Sequence, residues 1–296
     1  MIKLPNYKII KKIASGGMGD VYLAEHETLG NRVAIKSLHA NLVHDESFRK
    51  RFITEAKTHH KLSHPNIVKL LDFQIQEHGL FLIMEYVEGK QLNDYINKVT
   101  GPIPEKKLTA LFLQILSAIE YAHSKKLIHR DIKPANILIT KEEKVKVIDF
   151  GIAKQSEEDH GLTKTGVQVG TVSYMSPEQV NAEKVDFLTD IYSLGILLFQ
   201  MAVGKSPYDK ETNAFKIQLK IVNDPLPNAK DIYPSISDKL VSIIYKATQK
   251  KKKDRYQSCE DFKKVFSKKA VASTNIKSKQ KEVTKKEKTQ TVNLNK

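Results

Sequence analysis

The stretch His129-Arg130-Asp131-Ile132-Lys133-Pro134-Ala135-Asn136 sets an acid, a cation and an amide at short offsets, with the apolar run Ile137-Leu138-Ile139 directly behind them. Thirteen residues past Asn136, at the end of a second apolar run over 145–148, stands Asp149-Phe150-Gly151. Loop hydrogen bonding is the ordinary use of a lone Asp or Asn in a turn. It does not account for a lysine two residues after the acid, or for a second acid in the next apolar segment.

Working outward, the first 85 residues read mainly as strands. Segments 7–14, 20–25 and 32–38 are β-branched or apolar runs parted by Gly-rich or Gly-Asn turns. Segments 68–75 and 80–84 flank the turn Gln76-Glu77-His78-Gly79 and predict a hairpin. One helix interrupts them, with Phe48, Phe52 and Ala56 at helical spacing after Asp45, a capping residue type. Beyond Gln91 the pattern turns helical. Leu108, Leu111, Phe112, Ile115, Leu116, Ile119 and Ala122 form an apolar stripe over several turns, and further helices are predicted over 190–203, 213–222, 237–248 and 258–268. The expected class is α+β: a small β-rich lobe over about 1–87 and a larger α-rich lobe over about 88–266, without an internal repeat.

Composition narrows the setting. A chain of 296 residues is ample for two lobes with a sizeable core. Its single cysteine, Cys259, excludes an internal disulfide framework and fits a reducing, cytoplasmic compartment. The opening Met1-Ile2-Lys3-Leu4-Pro5-Asn6 turns polar too early for a signal peptide. The apolar run 191–203 is broken by Ser193, Gly195 and Gln200 and falls short of the ~20 residues of a membrane-spanning helix. The net charge of +15 is uneven, because residues 267–296 carry nine lysines against two glutamates and no aromatic residue. Such a segment cannot bury enough surface to fold alone. It is expected as a solvated tail or a juxtamembrane linker, with any membrane contact confined to it or to a segment beyond it, and no nucleic-acid partner is expected.

Two more segments carry chemistry. Ala14-Ser15-Gly16-Gly17-Met18-Gly19-Asp20-Val21 joins the first two strands, and its glycines let backbone N–H groups approach phosphate oxygens. Alone it is no more than a flexible hairpin turn, and Ala14 stands where a glycine-rich phosphate loop has its first glycine. Val33-Ala34-Ile35-Lys36 ends the third strand with a lysine among apolar residues, and Glu55 follows on the interrupting helix, where an ion pair with Lys36 would hold the lysine over phosphates. Moving a phosphoryl group asks for a carboxylate to orient the attacking hydroxyl, oxygen ligands for Mg²⁺, and cations to absorb charge. Glycine loop, strand lysine, acid–lysine–asparagine loop and second acid, in that order, supply those parts.

On these motifs the chain resembles the eukaryotic-like serine/threonine protein kinases, and most closely their bacterial branch, from about Tyr7 to about Phe266. Ser176-Pro177-Glu178-Gln179 and Asp190-Ile191-Tyr192-Ser193-Leu194-Gly195 look like that branch in particular. The resemblance implies a two-lobed kinase fold and transfer of the γ-phosphoryl group of ATP to Ser/Thr hydroxyls of protein substrates, with Mg²⁺ or Mn²⁺ as cofactor. It implies that Asp131 orients the hydroxyl and accepts its proton, that Lys133 neutralises the γ-phosphate, and that Lys36, paired with Glu55, holds the α- and β-phosphates. Asn136 and Asp149 would ligate the metal, and Phe150 would pack beneath the helix bearing Glu55. The adenine would lie between Ile13, Val21, Ala34 and Leu138, with Met84 as gatekeeper and the backbones of Glu85 and Val87 reading its edge; residues 14–20 would cover the phosphates.

The same resemblance makes 151–178 an activation segment, with Thr163 and Thr165 as autophosphorylation sites, Arg130 and Lys154 as phosphate partners, and self-association as the route to modification in trans. Thr171 would contact Asp131 and Lys133, and Glu178 would form a buried ion pair with Arg255. His59, one turn past Glu55, departs from the family, which carries an apolar residue there. A pseudokinase scaffold would lack Lys36, Asp131 or Asp149, and all three are present. A small-molecule phosphotransferase of similar fold would not need the segment 170–178, which builds a platform for protein substrates.

Overall fold

A computed structural model describes residues 4–16, 19–38, 46–76, 79–150 and 172–267, and of Ser47, Phe48, Arg51 and Glu55 the backbone alone. The expectations for Gly17, Met18, Asp45, Lys154, Thr163, Thr165, Thr171 and the lysine-rich tail therefore fall outside the described residues.

Five antiparallel strands form the first sheet: β1 (Tyr7–Gly16), β2 (Gly19–His26), β3 (Arg32–Leu38), β4 (Leu70–Gln76) and β5 (Gly79–Glu85), in the order β1-β2-β3-β5-β4. Alternation explains the register. In β3, Val33 and Ile35 are buried on one face with Phe81 and Ile83, while Ala34, Lys36 and Leu38 share the other, where Leu38 clusters with Phe52. Both faces of the sheet therefore carry apolar residues. Helix α1 (Glu46–His60) closes one side, setting Phe52 and Ala56 into a cluster with Val68, Leu70, Leu80, Leu82 and Met84. Residues 68–69 were expected in a strand. They lie instead ahead of β4, with the Val68 N–H donating to the Val147 carbonyl of the other lobe (2.9 Å).

The rest is helical apart from a small sheet of β6 (Gly89–Gln91), β7 (Ile137–Thr140) and β8 (Val145–Val147). After the short helix α2 (Leu92–Tyr95), helix α3 (Glu105–Ser124) buries every residue of the stripe expected for it. Then come α4 (Pro177–Val180), α5 (Phe187–Val203), α6 (Ala214–Asn223), α7 (Ala229–Ile232), α8 (Asp238–Ala247) and α9 (Cys259–Ser267). Helix α5 begins three residues before the expected start because the Asp186 carboxylate accepts from the Leu188 N–H (2.9 Å) and caps it. It ends at Gly204 (φ 82°), where a Cβ would come within 2.9 Å of Pro102. Residues 189–203 of α5 are all buried, so this helix is the axis around which α3 and α8 pack. Ser237 and Thr248, expected inside α8, are its caps.

Candidate active site

The loop between α3 and β7 is held from below by one carboxylate. Asp190, fully buried in α5, accepts from the backbone N–H groups of His129 (2.8 Å, Oδ2) and Arg130 (2.9 Å, Oδ1) and pairs with His123 Nε2 (2.8 Å). Burial alone would push this carboxyl up, but the His123 hydrogen bond and its other donors outweigh that and hold it below its ordinary value. Arg130 has φ 62°, a left-handed conformation that a non-glycine residue adopts at a cost of about 1–3 kcal/mol. Its N–H is fixed by Asp190, and its carbonyl accepts from Gln179 Nε2 (3.0 Å).

Beyond this anchor the expected acid, cation and amide meet. Lys133 Nζ lies 3.0 Å from Asp131 Oδ2. Asn136 donates from Nδ2 to both the Asp131 carbonyl (2.8 Å) and Asp131 Oδ2 (3.1 Å). With its Nδ2 donor used inside the loop, the amide of Asn136 keeps Oδ1 as a hard-oxygen acceptor. The 3₁₀ turn Pro134–Asn136 leads into β7, and the Ile148 N–H donates to the Asn136 carbonyl (2.9 Å), setting Asn136 beside the approach to Asp149. Asp149 is itself left-handed (φ 53°) and binds Lys36 Nζ through Oδ1 at 2.8 Å, across a sequence separation of 113. Lys36 was expected opposite Glu55. The Glu55 backbone lies on α1, and its side chain is outside the description. One carboxylate and one amide oxygen suit an ion that takes the rest of its shell from phosphates and water, which is how Mg²⁺ is usually held.

Above the loop runs a stack of rings. The His129 ring packs on Phe150 (centroids 4.7 Å apart), and Phe150 packs on His59 of α1 (5.3 Å). His129 Nδ1 accepts from the Asp131 N–H (3.3 Å), and Nε2 faces the Ile148 carbonyl (3.2 Å), which together fit a neutral ring protonated on Nε2. Burial likewise pushes the His129 pKa down. His59 is 2% exposed with neither ring nitrogen hydrogen-bonded, and burial lowers its pKa to about 4. Phe150 therefore does pack beneath α1, on a histidine.

The positions expected to face a nucleotide fall on β1, β2, β3, β5 and β7 or directly after β5. Ala34 stands opposite Met84 across β3 and β5, and Val21 opposite Lys36 across β2 and β3. Leu138 lies in β7, Ile13 is 42% exposed on β1, Glu85 closes β5, and Val87 follows it. Gly16 and Gly19 are cross-strand partners at the turn, and a Cβ on Gly19 would fall 1.9 Å from the Ser37 carbonyl oxygen. Only glycine fits there. Ala14 pairs with Val21 directly after a bulge at Ile13. Asp20 accepts from Ser15 Oγ (2.5 Å) and pairs with Lys12 (2.7 Å), which keep its carboxyl near pKa 2 and tie it to the hairpin.

Below the site Arg255 uses all five donors. Nη1 and Nη2 grip Glu178 Oε1 and Oε2 (2.8 Å each), and the remaining bonds go to the carbonyls of Gln249 (2.7 Å), Leu188 (2.8 Å) and Lys250 (2.9 Å). Asp190, His123 and Gln179 were not singled out as site residues from sequence. An acid directly before the apolar run 191–203 was the signal for Asp190, and the Ser176-x-x-Gln179 spacing of a reciprocal helix cap was the signal for Gln179.

This fold and loop belong to one class. The family model for the protein kinase domain matches residues 7–289, and the chain belongs to that family. It is 42% identical over 255 residues, 86% of this chain, to serine/threonine-protein kinase PrkC of Bacillus subtilis. It is 34% identical over 261 residues, 87% of this chain, to serine/threonine-protein kinase PknB of Mycobacterium leprae. The chain spans 39% and 42% of the length of those relatives. Among solved structures, the Mycobacterium tuberculosis PknI kinase domain superposes with a TM-score of 0.71 at 26% identity, covering 89% of this chain and 95% of that one. The resemblance to the bacterial serine/threonine kinases holds, and that family implies the use of ATP and a divalent metal ion.

Proposed function

We propose that this chain transfers the γ-phosphoryl group of ATP to serine and threonine hydroxyls of proteins, working in the cytoplasm with Mg²⁺ and accepting Mn²⁺ in its place. The observation that carries the reading is the Asp131–Lys133–Asn136 cluster, at 3.0 and 3.1 Å, beside the Lys36–Asp149 pair at 2.8 Å. Asp131 orients the acceptor hydroxyl and takes its proton, Lys133 meets the γ-phosphate, and Lys36 positions the α- and β-phosphates. Asn136 and Asp149 hold the metal ion, which neutralises charge on the phosphate oxygens when bound. The adenine rests between Ile13, Val21, Ala34 and Leu138. Self-association would allow Thr163 and Thr165 to be modified in trans, and the basic segment 267–296 is the part suited to an anionic membrane surface.

Incubation of the purified chain with labelled ATP, a protein acceptor and either metal tests this. Transfer to serine and threonine is expected with Mg²⁺, and Asp131→Asn should remove it while leaving the melting temperature within about 2 °C. An Asp131→Asn variant that keeps a tenth of wild-type turnover would sink the role given to Asp131.

A further inference from the structure

Helix α4 is only four residues long, yet its first turn is closed twice. The Ser176 hydroxyl accepts from the Gln179 N–H (3.3 Å), and Gln179 Oε1 accepts from the Ser176 N–H (3.1 Å), a reciprocal cap. Glutamate would close that cap equally well, and its charge would favour a helix N-terminus more. What glutamine adds is a donor. Its Nε2, on a side chain 7% exposed, reaches across 49 residues to the Arg130 carbonyl at 3.0 Å.

That carbonyl belongs to the peptide plane linking Arg130 to Asp131. The Arg130 N–H is already fixed by Asp190, and the Gln179 bond fixes the far side of a left-handed residue. Rotation of this plane would carry the Asp131 N–H away from His129 Nδ1 (3.3 Å) and turn the carboxylate that Lys133 and Asn136 hold. We infer that Gln179 is a positioning residue for phosphoryl transfer, coupling the substrate-platform helix to the orientation of Asp131 through the Arg130 carbonyl. The inference rests on the reading of Asp131 given above.

Three variants of the full chain separate this from a purely structural role, with Mg-ATP and dephosphorylated casein as substrates. Gln179→Glu keeps the acceptor for the Ser176 N–H and replaces the donor to Arg130 with an oxygen that repels its carbonyl. Gln179→Met loses both bonds, and Ser176→Ala weakens the cap while leaving the Arg130 bond. Misplacement of a reacting group by about 1 Å is worth up to ~100-fold in rate. Gln179→Glu should therefore lower kcat by about 10- to 100-fold, with KM for ATP within about twofold. Gln179→Glu and Gln179→Met should both lower the melting temperature by a few °C, and Ser176→Ala, which leaves the Arg130 bond in place, should lose less kcat than either at a comparable loss of melting temperature. A Gln179→Glu variant within about twofold of wild-type kcat overturns the inference, as does a kcat loss that follows melting temperature across all three variants. Asp131→Asn, assayed alongside, keeps the two readings apart: if it remains active the role of Asp131 fails, whatever Gln179 does.

Discussion

Removing one partner of the Glu178–Arg255 pair should be the most damaging single change outside the cleft. Both side chains are buried, at 2% and 0% exposure, and the grip is bidentate. Burial would push the Glu178 carboxyl up, but the Arg255 hydrogen bonds overcome it and hold the group below its ordinary value. Glu178→Ala leaves a guanidinium in the interior with three carbonyl acceptors in place of five bonds. Breaking a buried pair this way costs about 3–5 kcal/mol. At roughly 2 °C per kcal/mol for a domain of this size, the melting temperature should fall by about 6–10 °C. Arg255→Met should fall as far at pH 8 and recover at pH 5. In wild type the carboxyl titrates below its unfolded value, so its contribution is present above that value and is lost as pH falls. Without Arg255 burial raises the carboxyl instead, and stability is lost as pH rises through the raised value. The double variant Glu178→Leu, Arg255→Met leaves no buried charge at the pair and should lose less than the sum of the singles. Melting by circular dichroism decides it; a Glu178→Ala loss under about 2 °C, or strict additivity in the double variant, refutes the reasoning.

Four further outcomes are expected. His59 titrates at about 4 in the fold against 6.5 free, so the unfolded chain takes up its proton first and stability is lost as pH falls through that window, by about 3 kcal/mol in all. His59→Leu should remove this part of the acid limb in urea titrations between pH 8 and pH 4, and an unchanged limb would contradict it. Lys36→Met should retain ATP binding through the adenine contacts and lose turnover. Asp149→Asn should do likewise with little change in melting temperature, because the 2.8 Å pair it breaks is partly solvated and worth at most about 1 kcal/mol. Near-normal turnover in Lys36→Met would mean another lysine holds the phosphates. Thr163→Ala, Thr165→Ala should be slower and still active, with mass spectrometry finding phosphate on at least one of these threonines in active wild type. Phosphate confined to Thr284 or Thr289, with full activity in the double variant, would remove the switch.

Much of this protein is legible in its sequence because the signals are local. The β-branched and apolar run 32–38 and the stripe from Leu108 to Ala122 are set by neighbours a few residues apart and form the strand and helix expected, and the closely spaced Asp131, Lys133 and Asn136 meet. Caps refined the boundaries, as Asp186 did for α5. Pairings between distant segments were a different matter. Lys36 meets Asp149 across 113 residues, His129 hangs from Asp190 across 61, and Gln179 reaches Arg130 across 49. Periodicity says which face of an element is buried but not which polar group on another element will share that burial. That choice is made when packing removes water, since a desolvated donor or acceptor must then find its partner wherever the fold has brought one. The order and spacing of the motifs were enough to propose the chemistry; only the tertiary structure decided that a buried aspartate in α5 and a glutamine at a helix start hold the loop to which it is assigned.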